Sequence, residues 1–239
     1  MKKRIVVCML ALTLAFSVTA CGNEKKDDTK ETSKTEQRDK KEDVADKDVE
    51  EEDIDEESDE ETAAERGTFE GNVYTNESMG FQATFPEGCT MYSDEEIQQV
   101  VGSGSEVMED AYSSEQVEHS LAGTIYDVIA VTADQTTNIQ IVMEDTVNTA
   151  GMELTADEYT KAMTTSLKAA YGAAGVEMGE PEITEETLGG MEFSKVSISV
   201  NGMTQEYHAH QVGNYMLVFT MTYTDGTAAQ EFLDSVTAL

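Results

Sequence analysis

The sequence predicts an α+β fold, an antiparallel sheet with helices packed on it, and two observations lead to this prediction. The first is a series of long strand patterns joined by short turns rich in glycine and asparagine. These patterns cover residues 191–200, 203–212 and 215–223. The second is the placement of helical patterns before, between and after the hairpins. Such an order of elements is typical of an antiparallel sheet covered by helices.

The first elements of the domain are predicted to be a hairpin and a short helix. Strands at 73–76 and 80–85 flank the turn Glu77-Ser78, and Pro86-Glu87-Gly88 ends the second strand. A capping-box pattern at 93–96 opens a helix that is predicted to reach about Val101. The glycine and serine residues at 102–105 then indicate a flexible helix exit. A second helical stretch is predicted within 105–119.

Two central strands and the clearest helix follow. Residues 125–132 and 139–143 are apolar on both faces, which is typical of strands that are covered on both sides. Thr155 and Glu158 form a second capping box, and Gly175 is a natural helix terminator. A strand at 183–188 precedes the three long strands. A last helix is predicted at about 228–237, where it buries Phe232 and Val236.

The N-terminus has the layout of a signal peptide. A cluster of positive charge at residues 2–4 precedes a short apolar run from Ile5 to Val18, and small residues follow. The sequence Val18-Thr19-Ala20-Cys21-Gly22 resembles the bacterial lipobox. This resemblance implies that residues 1–20 are a lipoprotein signal peptide and that Cys21 carries diacylglycerol and a fatty acid such as palmitate. The expected localisation is the extracytoplasmic face of the cell membrane. The alternative is an ordinary secretory signal with a chance cysteine at the cleavage site.

The three cysteines predict no disulfide within the chain. Cys8 leaves with the signal peptide and Cys21 is the predicted lipidation site, so Cys89 has no partner in the mature chain. We expect Cys89 to be a buried, inert thiol, with pairing to another molecule as the alternative.

Residues 21–66 are predicted to be the lipidated cysteine followed by a disordered acidic stalk. From Gly22 to Arg66 there are 9 basic and 21 acidic residues, and aromatic residues, proline and leucine are absent. Such a segment buries too little apolar surface to offset the entropy of ordering. We interpret it as a tether that holds residues 67–239, the predicted α+β domain, away from the lipid. We expect this domain to fold without the tether.

The charge of the predicted domain excludes several kinds of partner. Residues 67–239 hold 3 basic and 28 acidic residues. Because nucleic-acid binding depends on basic side chains, no nucleic-acid partner is expected. Direct docking onto anionic lipid is excluded for the same reason.

One pattern in the domain indicates a candidate site. Glu206, His208 and His210 alternate along a predicted strand, so their side chains are expected on one face. Imidazole and carboxylate groups in this order are possible ligands for zinc or copper. The alternative is a row of polar side chains without metal. No catalytic motif is present in the sequence, so no catalytic residue and no cofactor are predicted.

The order of elements resembles the PsbP-like fold, an α/β/α sandwich. The residues that carry the resemblance are Tyr74-Thr75-Asn76, Gly80-Phe81, Phe85-Pro86-Glu87-Gly88, the Gly189-Gly190 turn and the Asn201-Gly202 hairpin. Cys89 departs from the pattern, because a tryptophan commonly follows Pro-x-Gly in this family. The family has no shared catalytic residues, so the resemblance implies a module for binding or assembly. The predicted function is a non-catalytic, lipid-anchored envelope protein that binds a protein or small ligand near the membrane. Metal handling by the His208/His210 face is the alternative.

Overall fold

The structure is a computed structural model that describes residues 63–239. The predicted signal peptide, Cys21 and the stalk up to residue 62 lie outside the described residues. The strands are Thr68–Glu70 (β1), Val73–Asn76 (β2), Phe81–Thr84 (β3), Thr90–Met91 (β4), Thr124–Val131 (β5), Thr137–Asp145 (β6), Glu182–Leu188 (β7), Met191–Val200 (β8), Met203–Val212 (β9), Tyr215–Tyr223 (β10) and Thr237–Ala238 (β11). The helices are Asp94–Glu109 (α1), Ser114–Ala122 (α2), Thr146–Ala150 (α3), Ala156–Ala173 (α4) and Thr227–Ser235 (α5).

The strands form two antiparallel sheets, so the predicted α+β class is confirmed. The large sheet has seven strands in the order β4-β5-β6-β10-β9-β8-β7. The small sheet has four strands in the order β1-β2-β3-β11. In the hairpin between β8 and β9, Asn201 and Gly202 both adopt positive φ, 51° and 80°, as a two-residue turn of type I′ requires.

The large sheet separates two apolar cores. On one face, α1, α2 and α4 contribute Met108, Val117 and Met163 to a core with side chains of β6, β8, β9 and β10. On the other face, α5 and the small sheet cover a core that includes Phe81 and Phe219. Both faces of the central strands are therefore buried, as their continuous apolar runs predict. No helix of residues 63–239 has both the length and the apolar character to cross a bilayer.

Helix α4 follows its sequence prediction closely. Thr155 caps the helix and forms a reciprocal capping box with Glu158. The helix packs on β8 and β9 through a buried stripe that includes Tyr159 and Leu167. Gly175 lies just beyond the last turn with a φ of 67°, the left-handed conformation that ends many helices.

Helix α1 is longer than the sequence predicts. The residues at 102–105 lie within the helix instead of forming a flexible exit. The hydroxyl groups of Ser103 and Ser105 donate to the carbonyl oxygens of Gln99 and Gly102, 3.0 Å and 2.7 Å away. Gly104 and Met108 are buried against the domain, so tertiary packing outweighs the weak helix propensity of this stretch. The second predicted helical stretch is interrupted at residues 110–113, and a capping box at Ser113 begins α2.

Contacts with the domain begin before the predicted boundary at Gly67. The backbone nitrogen of Glu65 donates to the Ser78 hydroxyl over 2.9 Å, and the Asn76 amide donates to the Glu65 carbonyl over 2.9 Å. The Arg66 guanidinium contacts Asp94 at 2.6 Å. We call residues 64–67 the strap. The strap therefore packs on the domain, although residues 64–66 lie before its predicted boundary.

Candidate functional site

Strand β9 places the three predicted site residues on one face of the large sheet. Glu206 is paired with Met221 of β10, His208 with Phe219, and His210 with Leu217. All three partners belong to the core beneath the small sheet and α5. The three residues therefore share one face, as their alternation predicts, and this is the face that the small sheet and α5 cover.

His208 lies between two carboxylates. Its side chain is 0 % exposed, and its Nδ1 atom forms a hydrogen bond with a carboxylate oxygen of Glu186 on β7. Its Nε2 atom lies 3.8 Å from a carboxylate oxygen of Glu206. Burial lowers the pKa of His208, but the hydrogen bond with Glu186 and the negative charges of Glu186 and Glu206 outweigh burial, so the pKa is raised above its ordinary value. The ring is therefore stabilised as an imidazolium.

Lys195 completes the cluster from β8. Its Nζ atom lies 2.6 Å from a carboxylate oxygen of Glu206, and both side chains are largely buried. Burial raises the pKa of Glu206, but the attraction of His208 and Lys195 lowers it by a larger amount, so the pKa falls to about 2. The cluster holds two cations and two carboxylates, and its charges balance. We call Glu186, Lys195, Glu206 and His208 the β-edge cluster, because they connect the edge strand β7 to β8 and β9.

His210 does not join this cluster. Its Nδ1 atom lies 2.8 Å from the backbone carbonyl oxygen of Glu192. Its ring stacks near Phe193, with centroids 5.0 Å apart. Across residues 63–239, no three His, Cys, Asp or Glu side chains converge closely enough to hold a metal ion. The metal assignment to Glu206, His208 and His210 therefore stays a prediction from sequence.

The sequence patterns do not identify Glu186 and Lys195 as residues of this site. Both lie in predicted strands, and the register places Lys195 beside His208. The hairpin at Asn201-Gly202 fixes this register, so counting back from the turn would have found Lys195. The contact of Glu186 with His208 crosses over β8 and depends on side-chain length, which strand periodicity does not report.

A second buried carboxylate, Glu144, lies on the opposite face of the large sheet. Glu144 ends the apolar run of β6 and is 0 % exposed. The Tyr159 hydroxyl of α4 donates to it over 2.8 Å. Burial raises the pKa of Glu144 to about 7, and bonds from Thr149 and Tyr159 only partly offset this effect. Glu144 is therefore neutral over much of the acidic range.

The cysteine of the described domain is partly buried. Cys89 is a free thiol at the margin of the core beneath the small sheet. Burial raises the pKa of Cys89, and the charges of Glu231 and Asp134 raise it further. A thiol with a raised pKa is a poor nucleophile.

The β-edge cluster can hold a proton and can connect three strands, but its imidazole ring is buried away from solvent.

Comparisons with known proteins give structural resemblances at low identity. No protein-family model and no curated protein matches the chain. The chain is similar to the solution structure of cyanobacterial PsbP, CyanoP, from Synechocystis sp. PCC 6803, with 11% identity, a TM-score of 0.42, and coverage of 70% of this chain and 91% of that chain. LpqN, involved in cell envelope biogenesis of Mycobacterium tuberculosis, is similar with 12% identity, a TM-score of 0.34, and coverage of 66% of this chain and 82% of LpqN.

A protein of Bacteroides thetaiotaomicron VPI-5482 is also similar, with 14% identity and a TM-score of 0.35. Its match covers 72% of this chain and 49% of that chain. The predicted likeness to PsbP is thus present among solved structures, and it is a structural resemblance only.

Proposed function

We propose that this chain is a lipid-anchored protein of the cell envelope that binds a protein or small ligand near the membrane and catalyses no reaction. The observation that carries the proposal is the order of three segments in the sequence. A signal-type segment precedes Cys21, an acidic segment follows it, and a domain with its own apolar cores comes next. Two acyl chains are enough for stable anchoring, whereas one gives only reversible binding.

The charge of the chain supports a role at a distance from the membrane surface. The whole chain has a formal net charge of −34 at pH 7. Anionic lipid repels such a chain, so the domain is held near the membrane by the anchor and not by its own surface. The domain is then presented to molecules of the envelope.

The first test concerns the anchor. Cys21→Ala removes the lipidated thiol, so the protein is expected to be released or to accumulate as unprocessed precursor. Cys89→Ala is the matched control and should partition into detergent as the wild type does. Processing and partitioning are measured together by electrophoresis and phase separation. If Cys21→Ala is processed and partitions like the wild type, the anchor is wrong.

The second test concerns binding. The mature chain is used as bait in envelope extract, and the metal content of the same sample is measured. A ligand or partner that is retained specifically supports the proposal. Retention of nothing above an unrelated acidic lipoprotein contradicts it.

Metal handling is the alternative function. The observation that favours it is the Nε2 atom of His208, which is buried without a hydrogen-bond partner among the described residues. A metal ion would have to displace the proton that the imidazolium carries there. A stoichiometric zinc or copper content that disappears in His208→Ala would replace the primary proposal with this alternative.

A further inference from the structure

Strand β7 is a long open edge of the large sheet. Its seven residues, Glu182–Leu188, pair with β8 on one side. No strand among residues 63–239 pairs with its other side. The opposite edge of the same sheet is β4, which has only two residues. Proteins usually shorten or cover sheet edges, because unpaired backbone groups are templates for another strand. At β7 such a template is present at full strand length.

The side chains on β7 are accessible to a partner. Residues 182–185 are all exposed, and the apolar side chain of Ile183, the second residue of the strand, is 39 % exposed. An added strand gains affinity from main-chain hydrogen bonds and specificity from alternate side chains. Ile183 offers such an added strand an apolar contact.

The backbone of β7 is held in place before any partner arrives. Glu186 reaches over β8 to the buried ring of His208 on β9. Seven consecutive residue pairs connect β7 to β8 without a register shift. A template that is already ordered loses little conformational entropy when a strand is added to it.

The charge around β7 indicates the chemistry of the occupant. Six glutamates and no basic residue lie between 177 and 192. Glu186 is engaged by His208, and Glu180 lies 3.6 Å from Lys168. Glu182 and Glu185 remain as exposed charges on the strand itself.

These charges argue against a second copy of the chain as the occupant. Two β7 strands placed side by side would bring carboxylates of equal sign together, which is destabilising across strands. A strand that carries lysine or arginine would place opposite charges there instead. We therefore infer that the open edge of β7 docks a basic, extended segment of a partner protein, which adds to the large sheet as an eighth strand. This inference rests on the proposed binding function and names the class of partner.

The test uses the mature chain, Cys21 to Leu239, in neutral detergent. The probe is a blocked nine-residue peptide of alternating lysine and valine. Two matched peptides accompany it: one carries glutamate in place of lysine, and one has every backbone nitrogen methylated. The methylated peptide keeps the positive charges and loses all backbone donors. Affinity is measured by titration at low ionic strength, and hydrogen exchange is measured for the amides of β7.

The inference predicts that only the unmodified basic peptide binds and that it slows exchange along β7. In the variant Glu182→Gln/Glu185→Gln the affinity should fall about tenfold, since two partly screened ion pairs are lost. The matched control is Glu115→Gln/Glu118→Gln on α2, which removes the same charge from another exposed surface. Its affinity should change less than about twofold.

Several results would overturn the inference. Equal binding of the methylated peptide would mean attraction by charge alone. Equal losses in both double variants would mean that the peptide does not select β7, and no binding would mean that the edge is not a docking strand. Self-association of the chain that is altered in Glu182→Gln/Glu185→Gln would assign the edge to a second copy. If a partner captured from envelope extract is retained equally by this variant, the proposed function stands and the edge inference fails. If no partner is captured while the peptide binds at β7, the reverse holds.

Discussion

Glu144 and Glu206 are both buried carboxylates of the large sheet, yet their pKa values move in opposite directions. Glu144 lies on the face covered by α4, where its partners are neutral hydroxyl groups, and its pKa rises to about 7. Glu206 lies on the other face with His208 and Lys195, and its pKa falls to about 2. The residue type and the sheet are the same. The difference therefore comes from the presence of cations, which compensate the loss of hydration at only one of the two sites.

The largest expected effect is the loss of the central cation of the β-edge cluster. His208→Ala leaves Glu186 without its partner and opens a cavity, so we expect a loss of about 4 kcal/mol in the free energy of unfolding near pH 6. The pKa of His208 is raised in the folded state. Its stabilisation is therefore fully present below about pH 6.5 and is lost as the pH rises through the folded pKa. The effect of the substitution should be smaller at pH 9.

The measurement for this prediction is chemical denaturation at both pH values. His119→Ala is the control, because His119 is exposed on α2 and should change stability by less than about 0.5 kcal/mol. A loss for His208→Ala as small as that of the control would mean that the cluster contributes nothing to the fold.

At Glu144 we expect the substitution to stabilise the protein, whereas His208→Ala destabilises it. Its pKa is about 7 in the folded state and about 4.3 in an unfolded chain, so the folded protein loses stability as the pH rises from 4 to 7. Glu144→Gln keeps the acceptor for Tyr159 and removes the ionisation. The variant should be as stable as the wild type at pH 4 and more stable at pH 8, by up to about 3 kcal/mol.

Denaturation curves at pH 4 and pH 8 measure this difference, and Glu118→Gln on the exposed face of α2 is the control. If Glu144→Gln destabilises the protein equally at both pH values, the carboxylate is compensated in the folded state and the contrast with Glu206 is wrong.

A smaller loss is expected for Glu206. Glu206→Gln should lower the free energy of unfolding by about 2 kcal/mol at pH 7, a value reduced for the partial exposure of the site. Because the folded pKa is about 2, the stabilisation is present above the unfolded pKa and is lost as the pH falls toward 2. The difference from the wild type should therefore shrink to less than half at pH 3.

The double variant Lys195→Met/Glu206→Gln isolates the pairing itself. Its stability should exceed the value expected from adding the two single substitutions, because each single change leaves one charge without its closest partner. Simple additivity would mean that the two side chains do not interact.

The sequence predicts the fold better than it predicts the two ionic sites. The turn at Asn201-Gly202 determines the pairing of β8 with β9, and the capping box at Thr155 determines where α4 begins. These signals are local, so they are readable from the chain. The continuation of α1 through Gly102 and Gly104 is not readable, because it depends on burial of Gly104 and Met108 against distant residues.

The ionic sites combine local and non-local information. Strand alternation correctly places Glu206, His208 and His210 on one face. Alternation does not show that His210 forms a hydrogen bond with the backbone carbonyl of Glu192, whereas His208 forms one with the carboxylate of Glu186. The raised pKa of Glu144 requires the knowledge that α4 covers it. Pattern alone gives the face of a strand, whereas the packing of a second element decides the charge.

The smallest effect is expected at the strap, where an ion pair has the same length as the buried one. The Arg66–Asp94 contact and the Lys195–Glu206 contact are both 2.6 Å. The side chains of Arg66 and Asp94 are 48% and 77% exposed, so water screens their attraction. Arg66→Ala should therefore lower the free energy of unfolding by less than about 1 kcal/mol, and the loss should shrink at high salt. The part that remains at high salt is the hydrogen bond from the Arg66 guanidinium to the Tyr126 carbonyl oxygen, 3.1 Å long. Denaturation at low and high salt measures it, with a chain lacking residues 22–62 as a control that retains the strap. A loss as large as that of Glu206→Gln would show that length, and not burial, governs these ion pairs.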